Sequence, residues 1–167
     1  MSNNKPRIPT FTELRQHPFL MLGFGFGSGL SPKGPGTAGT LLGLLLFVPL
    51  LWWSEAAAWA VLIIGLFSGS YICGKSSEYM KVHDHGGIVW DEFVGIWLVL
   101  LTLPIQNWQY WLFAFVVFRV FDIFKPWPAC WFDQNVHGGL GIMLDDVVAA
   151  IYGLIVLYFL NIQLAGM

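Results

Sequence analysis

This sequence has unusually few charged residues. Only 11% of its 167 residues are Asp, Glu, Lys or Arg, whereas 56% are hydrophobic, and the mean hydropathy is +0.65. Soluble globular domains carry roughly 25% charged residues, so there are too few polar side chains here to cover a water-facing surface. This deficit excludes a soluble globule and predicts that much of the surface contacts lipid.

Four further absences narrow the class of protein. The net charge is −2, so the basic surface that a nucleic-acid-binding protein needs is missing. The two cysteines, Cys73 and Cys130, form no CxxC pair and no disulfide framework. The polar N-terminus is not followed directly by an apolar region with a small-residue cleavage site, which predicts no cleaved signal peptide. Nothing in the sequence indicates an obligate protein partner.

Long apolar runs separated by polar breaks are typical of membrane-spanning helices. A helix needs about 20 residues, range about 17 to 25, to cross the hydrocarbon core, so the third run must extend into residues 88–92. We therefore expect an all-α polytopic membrane bundle of about four or five transmembrane helices. The predicted spans are Thr37 to Trp53, Ala57 to Cys73, Phe93 to Pro104, Trp108 to Asp122 and Val147 to Ile162.

The connections between these spans alternate in length, which predicts an orientation. Residues 54–56 and 105–107 are tight turns, whereas residues 74–92 and 123–146 are long and polar. Threading five spans places both long connections and the N-terminus on one side, together with all eight Lys and Arg residues. Positive charge collects on the cytoplasmic side of membrane proteins, so that side is predicted to face the cytoplasm.

The N-terminal region divides into two parts. Residues 1–18 form a polar tail, in which a short helix is expected after Pro9, and residues 19–167 are expected to form one membrane-embedded domain. Residues 19–30 are apolar but too short to cross, and glycine at every second position from Gly23 to Gly29 costs a helix about 1 kcal/mol each. We predict a re-entrant or interfacial segment, which needs burial in protein or a place beside a polar cavity.

A glycine-rich segment, GSGLSPKGPGTAG from Gly27, has the composition of an anion site. Successive backbone N–H groups in such a segment can turn inward as an anion-binding nest. Lys33 adds a positive charge and Thr37 is placed to cap the following helix. The segment therefore suits a phosphate group, and the alternative is a plain turn.

Acidic residues gather where spans begin on the predicted cytoplasmic side. Asp91 and Glu92 open the third span, and Asp145 and Asp146 precede the fifth. A single acidic pair is explained by the positive end of the helix dipole. Two such pairs on neighbouring helices repel each other, and carboxylates are hard ligands that suit Mg²⁺. The pattern therefore predicts one or two Mg²⁺ ions at this face.

A fifth carboxylate, Asp122, lies at the inner end of the fourth span, where the helix dipole disfavours it. Its alternative explanation is an ion pair with Arg119 or Lys125, each three residues away. In a metal-assisted reaction, Lys33, Arg119 and Lys125 are candidates to hold a phosphate. The proton for the leaving alkoxide is expected from a histidine. The histidine candidates are His83, His85 and His137.

These motifs carry a resemblance to a known family. The segments GFGSGLSPKGPGTAG, VHDHGGIVWDEFVGIW, FRVFDIFKPWP and WFDQNVHGGLGIMLDDVVA closely resemble those of phosphatidylglycerophosphatase A. The resemblance implies an all-helical, Mg²⁺-requiring phosphatase of the bacterial cytoplasmic membrane, with its active site facing the cytoplasm. Its lipid substrate would be phosphatidylglycerol phosphate, from which it removes the terminal phosphate to make phosphatidylglycerol.

The resemblance and the pattern together give a set of expected site residues. Carried over by position, the acidic residues of the matched motifs are Asp84, Asp91, Glu92, Asp122, Asp133, Asp145 and Asp146. Expected catalytic residues are Asp84, Asp91, Glu92, Asp145, His83 and His85. Expected metal ligands are Asp91, Glu92, Asp122, Asp145 and Asp146. Expected substrate-binding residues are Ser31, Lys33, Thr37, Arg119, Lys125 and His137.

Two other classes of function compete with this interpretation. A divalent-cation transporter needs ionisable groups along a path inside the spans, whereas the centres of the predicted spans carry no carboxylate. Another membrane lipid-phosphate phosphatase is the closer rival, although the DxDxT pattern of haloacid-dehalogenase phosphatases is missing. A non-catalytic scaffold leaves the clustered histidines and carboxylates unexplained.

Overall fold

The fold was described from a computed structural model, which covers residues 7–82, 85–103 and 107–165, without the side chains of residues 132–134 and 161–165. Within these ranges the chain is helical and contains no strand, which confirms the predicted all-α class. The helices are α1 Phe11–Gln16, α2 Pro18–Gly23, a 3₁₀ helix Gly25–Leu30, α3 Pro35–Trp53, α4 Glu55–Met80, α5 Trp90–Thr102, α6 Trp108–Phe124, α7 Ala129–Asn135 and α8 Gly139–Ala165.

The boundaries of α3 follow from local chemistry. Pro35 occupies the first turn, where a missing N–H costs nothing. Gly34 precedes it as the N-cap in the left-handed region, at φ 58°, and no side chain caps the helix. The prediction that Thr37 caps this helix was therefore wrong, because the helix already begins two residues earlier. At the other end the Ser54 hydroxyl accepts a hydrogen bond from the Ala57 N–H (3.2 Å) and starts α4, so the predicted tight turn is confirmed.

Helix α5 is the centre of the bundle. It packs against α3, α4, α6 and α8, and Phe93, Val94 and Leu100 are fully or almost fully buried. The indole N–H of Trp97 donates to the Gly43 carbonyl of α3 (3.0 Å). A helix surrounded in this way is held by protein contacts along its whole length, so its first residues are fixed with respect to the neighbouring helices.

Three helices of the described chain are long and apolar enough to cross a membrane: Pro35–Trp53, Glu55–Met80 and Gly139–Leu160. This is fewer than the four or five that we predicted. The predicted third and fourth spans are present as α5, with 13 residues, and α6, with 17. At 1.5 Å per residue α5 is only about 20 Å long, against about 30 Å of hydrocarbon. It begins at Trp90, three residues before the predicted start.

The polar tail contains the short helix predicted after Pro9. Thr10 caps α1, because its hydroxyl accepts from the Glu13 N–H (3.3 Å) while the Glu13 carboxylate accepts from the Thr10 N–H (2.8 Å). The Thr10 N–H is the main reason that the pKa of Glu13 lies below its usual value, and Arg7 adds to it. Leu14 of α1 is fully buried. Helix α1 is therefore packed on its neighbours α2 and the 3₁₀ helix.

Residues 19–30, which follow the tail, include an irregular backbone, as predicted. Helix α2 ends at Gly23, and the 3₁₀ helix that follows contains positive φ angles at Gly25 (51°), Phe26 (55°) and Gly27 (100°). Leu20 and Phe24 are fully buried. The segment is therefore held by apolar burial, despite a backbone that glycine tolerates more readily than other residues.

Candidate active site

Four helix ends meet around one polar cleft of about 410 Å³. Helices α3, α5 and α8 contribute their N-terminal turns, and α6 contributes its C-terminal turns. This arrangement confirms that the acidic motifs come together at one end of the bundle. The lining residues are Gly34, Pro35, Gly36, Gly86, Ile88, Asp91, Glu92, Arg119, Asp122, Ile123, Lys125, Asp145 and Asp146.

Three carboxylates form the tightest group in the cleft. One oxygen each from Asp91, Glu92 and Asp146 lie within 4.8 Å of one another. The residues are only 8%, 8% and 2% exposed, so water screens their mutual repulsion weakly. The Oδ2 atom of Asp146 is buried and accepts no hydrogen bond in the described structure. An all-oxygen, anionic donor set with an unsatisfied buried oxygen fits Mg²⁺.

Arg119 lies beside this triad and joins it to the fourth helix end. Its Nη1 atom is 3.3 Å from Glu92 Oε1 and 3.4 Å from Thr40 Oγ1, and it also pairs with Asp122. The side chains of Arg119 and Asp122 are 13% and 11% exposed. The ion pair that the three-residue spacing offered as an alternative for Asp122 is therefore confirmed with Arg119, whereas metal binding by Asp122 stays a prediction.

Lys125 takes a different partner. Its ammonium group lies 2.5 Å from Asp145 Oδ2, and the other oxygen of Asp145 accepts from the Asp146 N–H (2.9 Å). Lys125 follows the last residue of α6 with a left-handed φ of 41°. The described site therefore contains a carboxylate triad, in which Glu92 also pairs with Arg119, and two further cation-paired carboxylates, Asp122 and Asp145. Metal binding by Asp145 also stays a prediction.

Gly36 was not among the predicted site residues, yet it is packed directly against the charged cluster. A Cβ atom at this position would lie 2.1 Å from Glu92 Oε1 and 3.0 Å from an Arg119 guanidinium nitrogen. Glycine thus lets the first turn of α3 approach the Glu92 and Arg119 pair. The signal in the sequence was the glycine of the SPKGPGTAG motif, which we interpreted only as part of an anion nest.

Three of the predicted substrate-binding residues, Ser31, Lys33 and Thr37, do not line the cleft. Ser31 donates its hydroxyl hydrogen to the Lys33 carbonyl (3.0 Å), and Lys33 and Thr37 are exposed. His137, after α7, is also exposed and outside the cleft lining. Substrate contact by these four residues stays a prediction, and it would need the substrate to reach beyond the cleft.

Of the two histidines predicted to be catalytic, the structure describes His85 but not His83. His85 is 5% exposed and does not line the cleft, and both of its ring nitrogens contact backbone atoms. His83 and Asp84 lie outside the described residues, and so does the side chain of Asp133. Their roles stay predictions.

Comparison with known proteins gives a consistent family. The family model described as phosphatidylglycerophosphatase A matches residues 21–161. The phosphatidylglycerophosphatase A of Escherichia coli K12 is 47% identical over 150 residues, which cover 87% of this chain and 84% of the relative. The phosphatidylglycerophosphatase A of Haemophilus influenzae is 48% identical over 143 residues, which cover 85% of this chain and 88% of the relative.

A Bacteroides thetaiotaomicron protein, provisionally named a phosphatidylinositol-3-phosphatase, is 38% identical over 148 residues, which cover 83% of this chain and 90% of the relative. No solved structure matches the chain. The family match spans all four helix ends that form the cleft, and the two relatives that share the family's name cover most of the chain. The chain therefore belongs to the phosphatidylglycerophosphatase A family of enzymes.

Proposed function

We propose that this chain is a Mg²⁺-dependent membrane phosphatase that hydrolyses phosphatidylglycerol phosphate to phosphatidylglycerol and inorganic phosphate in phospholipid biosynthesis. The observation that carries the proposal is the triad of Asp91, Glu92 and Asp146 in a cleft that also contains the cations of Arg119 and Lys125. The names of two relatives that are 47% and 48% identical supply the substrate.

The triad is the part of the cleft suited to a metal ion. Asp91, Glu92 and Asp146 would hold Mg²⁺, and Asp122 and Asp145 are further candidates within the same lining. When bound, Mg²⁺ would supply Lewis-acid polarisation of a phosphoryl oxygen and a lowered pKa for a coordinated water molecule. Arg119 offsets part of the negative charge at Glu92, but without a further cation three nearly buried carboxylates this close together would raise the free energy of the folded state.

The two cations of the cleft suit the substrate. A phosphate monoester carries a charge of about −1.5 to −2 at neutral pH. The Nε–H of Arg119 is buried and donates no hydrogen bond in the described structure, so it is available to a phosphate oxygen. Lys125 holds Asp145 at the cleft wall and would share its ammonium group with a bound phosphate. Charge-assisted hydrogen bonds of this kind are the strong ones in proteins.

The cleft also has an apolar side, which suits a lipid. Ile123 of α6 lines the cleft although it is 66% exposed. Val116 and Val120 continue the same exposed face of α6, at 47% and 44%, because residues three or four apart share one face of a helix. The headgroup would enter the cleft at Ile123 while the acyl chains stay in the bilayer along α6.

In the membrane, α5 and α6 would complete a five-helix bundle with the three candidate spans. The described Lys and Arg residues lie before α3, near or after the end of α4, or near the end of α6, which is the cleft end of the bundle. By the positive-inside rule this end would face the cytoplasm. The enzyme would then act on the inner leaflet of the bacterial cytoplasmic membrane.

A second candidate differs only in the headgroup. The name of the Bacteroides thetaiotaomicron relative favours a phosphorylated inositol lipid. Inositol phosphates are bulkier than glycerol phosphate, so the two headgroups would fill the cleft of about 410 Å³ differently. Both lipids are therefore tested.

The test uses the full-length protein purified in detergent. Phosphate release is measured from phosphatidylglycerol phosphate and from phosphatidylinositol 3-phosphate, with Mg²⁺ and then with excess EDTA. We expect rapid, EDTA-sensitive release from phosphatidylglycerol phosphate. Activity that survives the chelator would refute the metal mechanism, and faster release from the inositol lipid would replace the proposed substrate.

A further inference from the structure

The ring of His85 is fully engaged by the protein. Its Nδ1 atom accepts a hydrogen bond from the Gly87 N–H (3.1 Å), and its Nε2 atom lies 2.9 Å from the Arg7 carbonyl oxygen. A neutral ring with its proton on Nε2 satisfies both contacts, because Nδ1 must then be the acceptor. The ring also packs against Phe24, with the ring centroids 5.4 Å apart. His85 therefore joins two segments that are 78 residues apart in sequence.

The segment that His85 holds is the turn leading into α5. The Ile88 N–H donates to the His85 carbonyl (2.7 Å), which closes the turn, and Gly86 and Ile88 in the turn line the cleft. The next residue, Val89, donates its N–H to the Gly23 carbonyl (2.8 Å) and is the N-cap of α5. The turn that is held by the His85 carbonyl and by its ring at Gly87 therefore leads directly into the N-cap of α5.

Two of the three triad carboxylates lie directly after this turn in the sequence. Asp91 and Glu92 occupy the first turn of α5, so a shift in the start of this helix moves both relative to Asp146 on α8. Ligand positions displaced by about 1 Å can cost about 100-fold in rate. The turn is thus a support for the site, although His85 itself is outside the cleft lining.

The other segment that His85 holds is the polar tail. Arg7 pairs with Glu13 (2.8 Å), and the Tyr79 hydroxyl of α4 donates to the same Glu13 oxygen (3.5 Å). The carbonyl that faces His85 belongs to Arg7, the residue whose side chain forms this ion pair. The family match begins at residue 21, and the Arg7 and Glu13 pair lies before it.

We propose that His85 is a positioning residue through which residues 7–13 fix the turn before α5 and, with it, the carboxylates of Asp91 and Glu92. This proposal rests on the proposed function for its rate measurements, and it replaces the proton-transfer role predicted for His85. A ring with both nitrogens bound to backbone atoms would have to break one of these contacts before it could give a proton to a substrate.

The experiment compares His85→Ala, His85→Gln, Arg7→Ala and the double variant with both alanine substitutions in the full-length protein, with Arg15→Ala as a matched control. Arg15 is exposed on α1 and makes no ion pair in the described structure. Glutamine retains an N–H donor that reaches toward the Arg7 carbonyl, whereas alanine retains neither contact. Phosphate release is followed against pH, and chymotrypsin cleavage at the exposed Phe11 is followed in parallel.

We expect His85→Ala to lower kcat about 10- to 100-fold, as loss of a supporting hydrogen bond around a metal site does. His85→Gln should recover much of this loss, and every active variant should keep the pH profile of the parent protein. Arg7→Ala should have a smaller effect in the same direction, and its effect should be less than additive with that of His85→Ala. Cleavage at Phe11 should accelerate in His85→Ala and Arg7→Ala but not in Arg15→Ala.

Two results would overturn the proposal. If His85→Gln is as inactive as His85→Ala and the remaining activity loses one limb of its pH profile, His85 transfers a proton. If cleavage at Phe11 is unchanged in both His85→Ala and Arg7→Ala, the tail does not depend on this contact. The cleavage measurement needs no substrate, so it separates failure of this proposal from failure of the proposed function.

Discussion

The two ends of the helix bundle differ in how they treat charge. At the cleft end, Asp91, Glu92 and Asp146 are at most 8% exposed. At the opposite end, where α3 and α5 end and α4 begins, Glu55 is exposed and lines a pocket with Trp52 and Leu103. Trp52 and Trp108 at this end are 72% and 65% exposed.

The difference shows that buried charge lowers the stability of the folded state at the cleft end. Burying an ion costs several kcal/mol after relaxation, and the cleft end buries three carboxylates together. The opposite end has exposed indole rings, which are favoured at the boundary between lipid and water, and leaves its carboxylate in solvent. Because nothing about packing helices requires the first arrangement, the buried charge supports the proposal that the cleft end carries the function.

Removing one carboxylate charge from each end tests most directly whether the two ends differ in function. Asp146→Asn keeps the shape of the side chain but removes the anionic oxygen that accepts no hydrogen bond. We expect phosphate release to fall by at least about 100-fold, as loss of a metal-site group does. We also expect the rise in melting temperature on adding Mg²⁺ to disappear, because that rise measures binding to the folded state.

The matched control is Glu55→Gln, which removes the same charge from the opposite end. It should change activity less than about twofold, as surface substitutions away from a site usually do. A variant of Asp146 that keeps its activity, or an equal loss in both variants, would show that the two ends do not differ in function.

The pairs of carboxylates could be predicted from sequence, but their partners could not. Asp91 and Glu92 precede an apolar run, which is enough to place them at the end of a helix. Asp122 has a cation three residues away on either side, and the spacing alone gives no choice between them. The structure selects Arg119, because α6 ends at Phe124 and the left-handed backbone of Lys125 turns that side chain to Asp145 instead.

The positions of the helices were easier to predict than whether protein or lipid covers them. Apolar composition predicts burial but does not say whether protein or lipid covers the residue, so α5 was predicted as a span although it is packed inside the bundle at 13 residues. His85 stood out as part of a motif. Its partner, the Arg7 carbonyl, is a backbone group that every residue has, so the sequence held no signal for that contact.

An effect of intermediate size is expected from a substitution at the cleft end that alters packing and leaves the charges unchanged. Gly36→Ala places a methyl group where Glu92 Oε1 and the Arg119 guanidinium now lie. Overpacking costs typically 1–3 kcal/mol, and here the groups forced to move belong to the site. We expect kcat to fall about 10-fold or more, with a lower melting temperature. Gly153→Ala on α8 is the control, because its Cβ would meet its neighbours at 3.7 Å or more. Equal activity in both would place Gly36 outside the working site.

The smallest expected effect concerns the apolar side of the cleft end. Ile123 and Ile64 are both 66% exposed, but only Ile123 lines the cleft. Ile123→Trp should raise the KM for long-chain phosphatidylglycerol phosphate several-fold, roughly 1 kcal/mol of lost binding. It should leave the KM for a short-chain analogue nearly unchanged, because only long chains must lie along α6. Ile64→Trp should alter neither. If Ile123→Trp raises both KM values equally, the substituted ring obstructs the headgroup, and the lipid must reach the cleft by a route other than the exposed face of α6.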